Sequence, residues 1–135
     1  MAAKACTVFV VDDDKSVLDS VRLLLESVGY KSRGFGSAEE LLESALVQSA
    51  CCLILDMKLP GMTGLELHEV LSASRISIPV IFITGHDRPW MEERALRLGA
   101  IAYLRKPFDG QAILEAIELH CGKGGTVQKE RKERG

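Results

Sequence analysis

The sequence is short of most features that would mark a specialised class of protein. No run of apolar residues approaches the roughly 18 to 20 needed to cross a bilayer, so no membrane-spanning helix is expected. The net charge is only −2, and so slight a balance gives no reason to expect nucleic acid as a direct partner. There are four cysteines, Cys6, Cys51, Cys52 and Cys121, with no CxxC pair and none at zinc-finger spacing from a histidine. Cys51 and Cys52 are neighbours on a candidate strand, where side chains point to opposite faces. All four are read as reduced, buried, small hydrophobes. No internal repeat or low-complexity tract is present. The opening residues, MAAKACTVFVVDDD, turn acidic too soon for a secretory signal, and a cytoplasmic protein is expected. What remains is ordinary: 135 residues, 47% hydrophobic and 27% charged, enough for one compact domain with its own core.

Within that frame, apolar segments alternate between two periodicities. Thr7 to Val11, Cys51 to Leu55 and Ile78 to Thr84 are short apolar runs without polar alternation, the pattern of parallel strands buried on both faces. Tyr30 to Phe35 is more polar and suits a strand nearer an edge, and Ile101 to Leu104 is a short fifth strand. Between them lie helical patterns. One runs from about Lys15 to Val28, capped by Asp14 and ended by Gly29. A second opens at Ser37, with Glu40 placed for a capping box. A third follows Thr63, a fourth has Pro89 in its first turn and ends at Gly99, and a fifth follows Asp109 through about His120. Five strand–helix pairs in strict alternation predict an α/β fold, a parallel sheet with helices on both faces. From Gly122 onward five Lys and Arg stand against two Glu and no aromatic residue occurs. That stretch is expected to be a flexible basic tail or the start of a linker.

The chemistry gathers at the carboxyl ends of the strands, which share one edge of a parallel sheet. Asp56 alone could simply be a strand-terminating cap. But the first strand also ends in Asp12 and Asp13, the fourth in Thr84, and the fifth is followed by Lys106 and Pro107. Crowded carboxylates repel, and one would take up a proton unless a cation intervened. Hard oxygen ligands with a partly hydrated shell suit Mg²⁺. A divalent metal, an ammonium and a hydroxyl together make a pocket for a phosphoryl group.

Four segments at those strand ends, VVDDDKSV (10–17), LILDMKLPGMTGLEL (53–67), PVIFITGH (79–86) and YLRKPF (103–108), resemble the receiver domain of bacterial two-component response regulators. The wording FGSAEELL and IFITGH is most similar to receivers of the FixJ type. The resemblance covers residues 5 to 121 and places a receiver domain over residues 1–121, with 122–135 as the tail. It implies a flavodoxin-like (βα)5 doubly wound sheet in the order 2-1-3-4-5. It implies that Asp56 accepts a phosphoryl group from a histidine kinase or phosphotransfer protein. Asp12, Asp13, Asp56 and the backbone carbonyl of Lys58 would hold Mg²⁺ or Mn²⁺. Thr84 and Lys106 would bind the phosphoryl oxygens, with Tyr103 as an aromatic switch that turns from exposed to buried, and Gly85 and Pro107 in support. Fourth helix, fifth strand and fifth helix would form the responsive face, with phosphorylation-dependent homodimerisation and control of transcription as outputs, since FixJ-type receivers usually precede a helix-turn-helix domain.

A competing class is a small phosphatase with an aspartyl-phosphate intermediate. It would want a second Asp two residues after the nucleophile, where Lys58 stands, and a cap domain that this chain lacks. Lys58 and His86 occupy positions that in receivers influence the lifetime of the phosphoryl group, but are read first as solvated loop residues. Asp14 is read as a cap, not a ligand. His68 and His120 are read as exposed helix residues. Trp90 is expected to pack locally or to face a partner.

Overall fold

A computed structural model describes residues 7–121. The tail after Cys121 and the N-terminal Cys6 lie outside the described residues. Five strands, β1 (Thr7–Val11), β2 (Lys31–Phe35), β3 (Cys52–Asp56), β4 (Val80–Thr84) and β5 (Ala102–Arg105), alternate with α1 (Lys15–Ser27), α2 (Ala38–Ser44), α3 (Gly64–Ala73), α4 (Met91–Arg97) and α5 (Gly110–His120). All pairings are parallel, in the order β2-β1-β3-β4-β5. None of the described helices is long and apolar enough to cross a membrane.

The strand pattern explains the layering. Side chains alternate across a strand, so β1, β3 and β4 each feed two cores. Phe9, Val11, Leu53, Leu55 and Phe82 pack on one side with Leu41, Leu67, Leu71 and Ala95 of α2, α3 and α4. Val8, Val10, Ile54, Ile81 and Ile83 pack on the other with Val21 and Leu25 of α1 and Ile113 and Ile117 of α5. β3 and β4 are buried along their whole length, whereas the edge strand β2 alternates between exposed and half-buried until Phe35. Burying each large side chain in these layers contributes about 1.5–3 kcal/mol before entropy is counted.

Caps set the helix starts. Asp14 Oδ1 accepts the Ser16 N–H at 3.0 Å, and Asp109 Oδ1 accepts that of Gln111 at 2.9 Å. Thr63 and Glu66 form a full capping box. The box expected at Ser37 is only half made. Its hydroxyl accepts the Glu40 N–H, but the Glu40 carboxylate reaches back to the Gly36 N–H instead. α4 begins later than Pro89 suggests, at Met91, with Trp90 at the cap position and no side-chain hydrogen bond there. One cysteine expectation is corrected: Cys51 is disulfide-bonded, not reduced. Cys51 is half-buried just before β3, its N–H donating to the Thr7 carbonyl at 2.9 Å, while Cys52 is sealed.

Candidate functional site

Every strand that carries chemistry ends at one cleft. β1 delivers Asp12, fully buried, and Asp13, exposed; β3 delivers Asp56, 4% exposed. One carboxylate oxygen from each lies within 4.8 Å of the others. The loop after β5 brings in Lys106, joined to Pro107 by a cis peptide bond. Its Nζ lies 2.9 Å from Asp12 Oδ2 and donates to Asp56 Oδ2 at 3.1 Å. Two of the three carboxylates thus share one ammonium.

The backbone fixes this arrangement. Asp56 Oδ1 accepts the Lys58 N–H at 3.0 Å, and Asp12 Oδ1 accepts the Asp14 N–H at 2.8 Å. The loop from Met57 to Thr63 folds back tightly on β3. A Cβ at Gly64 would sit 2.3 Å from the Asp56 carbonyl oxygen, so only glycine lets α3 start there. The Glu39 carboxylate pins the same loop from α2 by accepting the Met62 N–H at 2.9 Å. Sequence reasoning passed over Glu39 and Gly64, because neither stands next to a strand end. At Gly85 an added Cβ would meet only the Lys106 side chain, no nearer than an ordinary 3.5 Å.

Electrostatics follow from burial. Asp56 is pushed above the ordinary carboxylate range, chiefly by burial and also by the neighbouring charge of Asp12. The Lys58 N–H and Lys106 work against that rise. Burial alone would lower Lys106, yet Asp12 and Asp56 together raise it above its ordinary value. The donor set, oxygen only and with more negative charge than Lys106 can neutralise, fits a hard divalent cation. The buried Asp12 Oδ2 supports that fit, since it accepts no hydrogen bond among the described residues and has the Lys106 ammonium 2.9 Å away.

The remaining predicted residues divide into two groups. Thr84, fully buried, accepts the His86 N–H on Oγ1 at 3.0 Å, and its carbonyl accepts the Lys106 N–H at 2.7 Å. It sits buried behind the cleft, which the next two residues, Gly85 and His86, line. Lys58 and His86 are exposed, but both line the same cleft of about 520 Å³ along with Asp13, Asp14 and Asp56. Solvated and site-facing are therefore compatible for these two.

Tyr103 is not at the cleft and not exposed. It is 7% exposed, with its hydroxyl donating to Asp87 Oδ1. Arg105 donates from Nε to Asp87 Oδ2 at 2.6 Å and from Nη2 to Glu92 at 2.7 Å, with its guanidinium 5.3 Å from the Tyr103 ring centre. The Tyr103 hydrogen bond, then Arg105, hold Asp87 below the ordinary carboxylate range. Burial, then the Asp87 bond, push the Tyr103 hydroxyl up. The expectation of an exposed resting Tyr103 is thereby corrected, because Asp87, sixteen residues away in sequence, captures its hydroxyl. His68 is corrected too. It is half-buried, with its ring 6.0 Å from Phe82, and burial lowers its pKa. Trp90 is 53% exposed at the start of α4, and His120 is exposed.

Comparison with known proteins gives one consistent answer. The response regulator receiver domain profile matches residues 8–118. Nodulation protein W of Bradyrhizobium diazoefficiens is 41% identical over 98% of this chain and 56% of its own length. The response regulator StyR, of known structure, is 48% identical over 85% of this chain and 58% of its own, with a TM-score of 0.79. The crystal structure of FixJ-N superposes with a TM-score of 0.76 at 34% identity, covering 91% of this chain and 97% of that one. The chain spans a little over half the length of the curated relatives it matches.

Proposed function

The chain belongs to the response regulator receiver domain family, similar to FixJ-type receivers, and from that premise we propose how its cleft works. The domain is a two-component receiver, a phosphoacceptor signalling module. Asp56 is the acceptor. One of its oxygens attacks the phosphorus of a phosphohistidine on a partner kinase or phosphotransfer protein. An O–P bond forms as the P–N bond breaks, and the electron pair returns to the imidazole. A carboxylate lifted by burial is a better nucleophile than a solvated one, and the Lys58 N–H and Lys106 hold it in a single orientation. Asp12, Asp13, Asp56 and the Lys58 carbonyl would hold Mg²⁺, or Mn²⁺, which supplies charge neutralisation and alignment for the phosphoryl oxygens. Lys106 adds its own charge there. Thr84 is placed one strand away from Asp56, where its hydroxyl can donate to a phosphoryl oxygen while still accepting from His86. His86 and Lys58, at the lip, govern access of water and so the lifetime of the acyl phosphate.

Residues 1–121 form the receiver in this reading, and the basic stretch 122–135 leads away from it. The output is a change at the face of α4, β5 and α5, read by a second copy or another partner and feeding control of transcription, in the cytoplasm. The carrying observation is the convergence of three carboxylates at the sheet edge, the two buried ones sharing one ammonium. The test is intact mass after incubation with a small acyl phosphate and Mg²⁺. Wild type is expected to gain one phosphoryl group and Asp56→Asn none; labelling that survives Asp56→Asn refutes the assignment.

A further inference from the structure

Glu39 and Glu40 are neighbours in the first turn of α2, yet they serve different parts of the molecule. Consecutive residues on a helix point about 100° apart. Glu40 turns back to its own helix start and accepts the Gly36 N–H at 3.0 Å. Glu39 reaches across to the loop after β3, where its Oε2 accepts the Met62 N–H at 2.9 Å. Its base is rigid, because Ala38 and Leu41 of the same helix are fully buried and pack in one core with Met57 and Leu59. The approach is close. Gly61 has φ +73°, and a Cβ there would stand 2.7 Å from Glu39 Oε2. Glycine meets both demands, the left-handed backbone and the room for the carboxylate. The segment so secured is the lip of the cleft, which Lys58, Leu59 and Pro60 line. At one end the Lys58 N–H donates to Asp56 Oδ1 at 3.0 Å, and at the other the Met62 N–H donates to Glu39. Between these ties Leu59, Pro60 and Gly61 make no hydrogen bond among the described residues. The burial of Leu59, 5% exposed, is what else holds the span.

We propose that Glu39 is a positioning residue for the metal that serves phosphoryl transfer: by holding Met62 and Gly61 it fixes the Lys58–Pro60 lip, and with it presets the Lys58 carbonyl for Mg²⁺. The inference rests on the receiver reading and deepens it. Glu39 touches neither the metal nor the phosphoryl group and acts through one N–H. A ligand that must be ordered at the moment of binding lowers affinity, whereas one ordered beforehand does not. Partners that hold a metal ligand directly are worth about 10–100-fold in affinity. Glu39 holds the ligand's loop from an exposed site, so about fivefold is expected. What the loop needs from it is an acceptor oxygen, not a negative charge. The Met62 N–H holds the Glu39 carboxyl below its ordinary range, so at neutral pH that acceptor is the carboxylate. Coupling between two sites is reciprocal, and bound Mg²⁺ therefore strengthens the Glu39–Met62 bond by the same factor.

Calorimetric Mg²⁺ titration of the whole chain, in wild type, Glu39→Ala, Glu39→Gln and Glu40→Ala, tests the proposal. Glu39→Ala is expected to weaken binding about fivefold. Glu39→Gln keeps an acceptor oxygen and should stay within about twofold of wild type. Glu40→Ala removes the adjacent carboxylate and a bond of similar length, and should leave the affinity as it is. A second measurement needs no variant: amide exchange at Met62 in wild type should slow about fivefold when Mg²⁺ saturates the site. Equal affinity in Glu39→Ala and wild type, or a Met62 amide indifferent to Mg²⁺, would overturn the proposal. So would equal losses in Glu39→Ala and Glu39→Gln, which would assign the effect to charge at a distance, or an equal loss in Glu40→Ala. Wild type that binds no Mg²⁺ at all would overturn the metal site of the receiver reading too, so the two failures are told apart.

Discussion

Two charged clusters sit one strand apart at the top of this sheet, and they are built on opposite principles. Around Asp87 every charged oxygen that matters has a donor: Tyr103 on Oδ1, Arg105 on Oδ2, and Arg105 again on Glu92. Around Asp56 three carboxylates crowd together, and the two that are out of water divide one ammonium. The first cluster is closed and structural. The second is left short of positive charge, and a cluster short of cation is one that can take up a metal and then a phosphoryl group. Charged residues at a sheet edge do not by themselves mark a site; uncompensated charge does.

The contrast can be broken most violently at Lys106. Lys106→Ala strips from Asp12 and Asp56 the one ammonium paired with them among the described residues. It is expected to cost about 3 kcal/mol, the low end for breaking a buried pair because the cleft is open to water. Denaturant unfolding should show the loss at neutral pH, and Mg²⁺ should restore part of it. A loss that Mg²⁺ leaves untouched would mean that the cation does not share the acids with Lys106.

At the closed cluster the expected effect is smaller. Asp87→Ala leaves the Tyr103 hydroxyl buried without an acceptor, for about 1.5 kcal/mol. Adding Tyr103→Phe should recover some of that, since a pair removed together costs less than one half removed alone. Asp87→Ala alone should let Tyr103 turn outward, which near-ultraviolet circular dichroism would register. No recovery in the double variant would show that the ring and the carboxylate are not coupled.

Smallest, and of opposite sign, is the effect of Asp56→Asn. Its carboxyl is raised by burial first and by Asp12 next. The folded chain therefore binds that proton more tightly than the unfolded chain. The stability this brings is present below the ordinary carboxylate range and is lost as pH rises through the raised value. At pH 7 the ionised group is a cost, so Asn should stabilise by about 1 kcal/mol. The gain should shrink on going down towards pH 4, as measured by thermal melts. A variant less stable than wild type at pH 7 would show that the Lys106 and Lys58 contacts outweigh desolvation.

Much of this was legible because strands buried on both faces leave an unbroken apolar run. Val8 to Val11, Leu53 to Leu55 and Val80 to Ile83 announce themselves, and the polar residue that ends each run lies on the same edge of the sheet. The convergence of Asp12, Asp56 and Thr84 on one edge follows from parallel pairing alone. What sequence did not show depends on partners far along the chain. Tyr103 is held inward by a carboxylate in another loop. The Asp56 loop is pinned by Glu39 from α2. The half-made box at Ser37 turns on which of two adjacent N–H groups Glu40 reaches. Pro89 suggested a helix start that the backbone delays by two residues, and the Cys51 disulfide leaves no mark in spacing.

The central claim, that the Asp56 cleft is short of cation and the Asp87 cluster is not, is tested most directly by calorimetric titration with Mg²⁺. Wild type should bind one ion. Asp13→Asn, which removes an exposed carboxylate at no structural cost, should abolish that binding, and Asp87→Ala should leave it unchanged. Undiminished affinity in Asp13→Asn, or affinity lost in Asp87→Ala, would contradict the account.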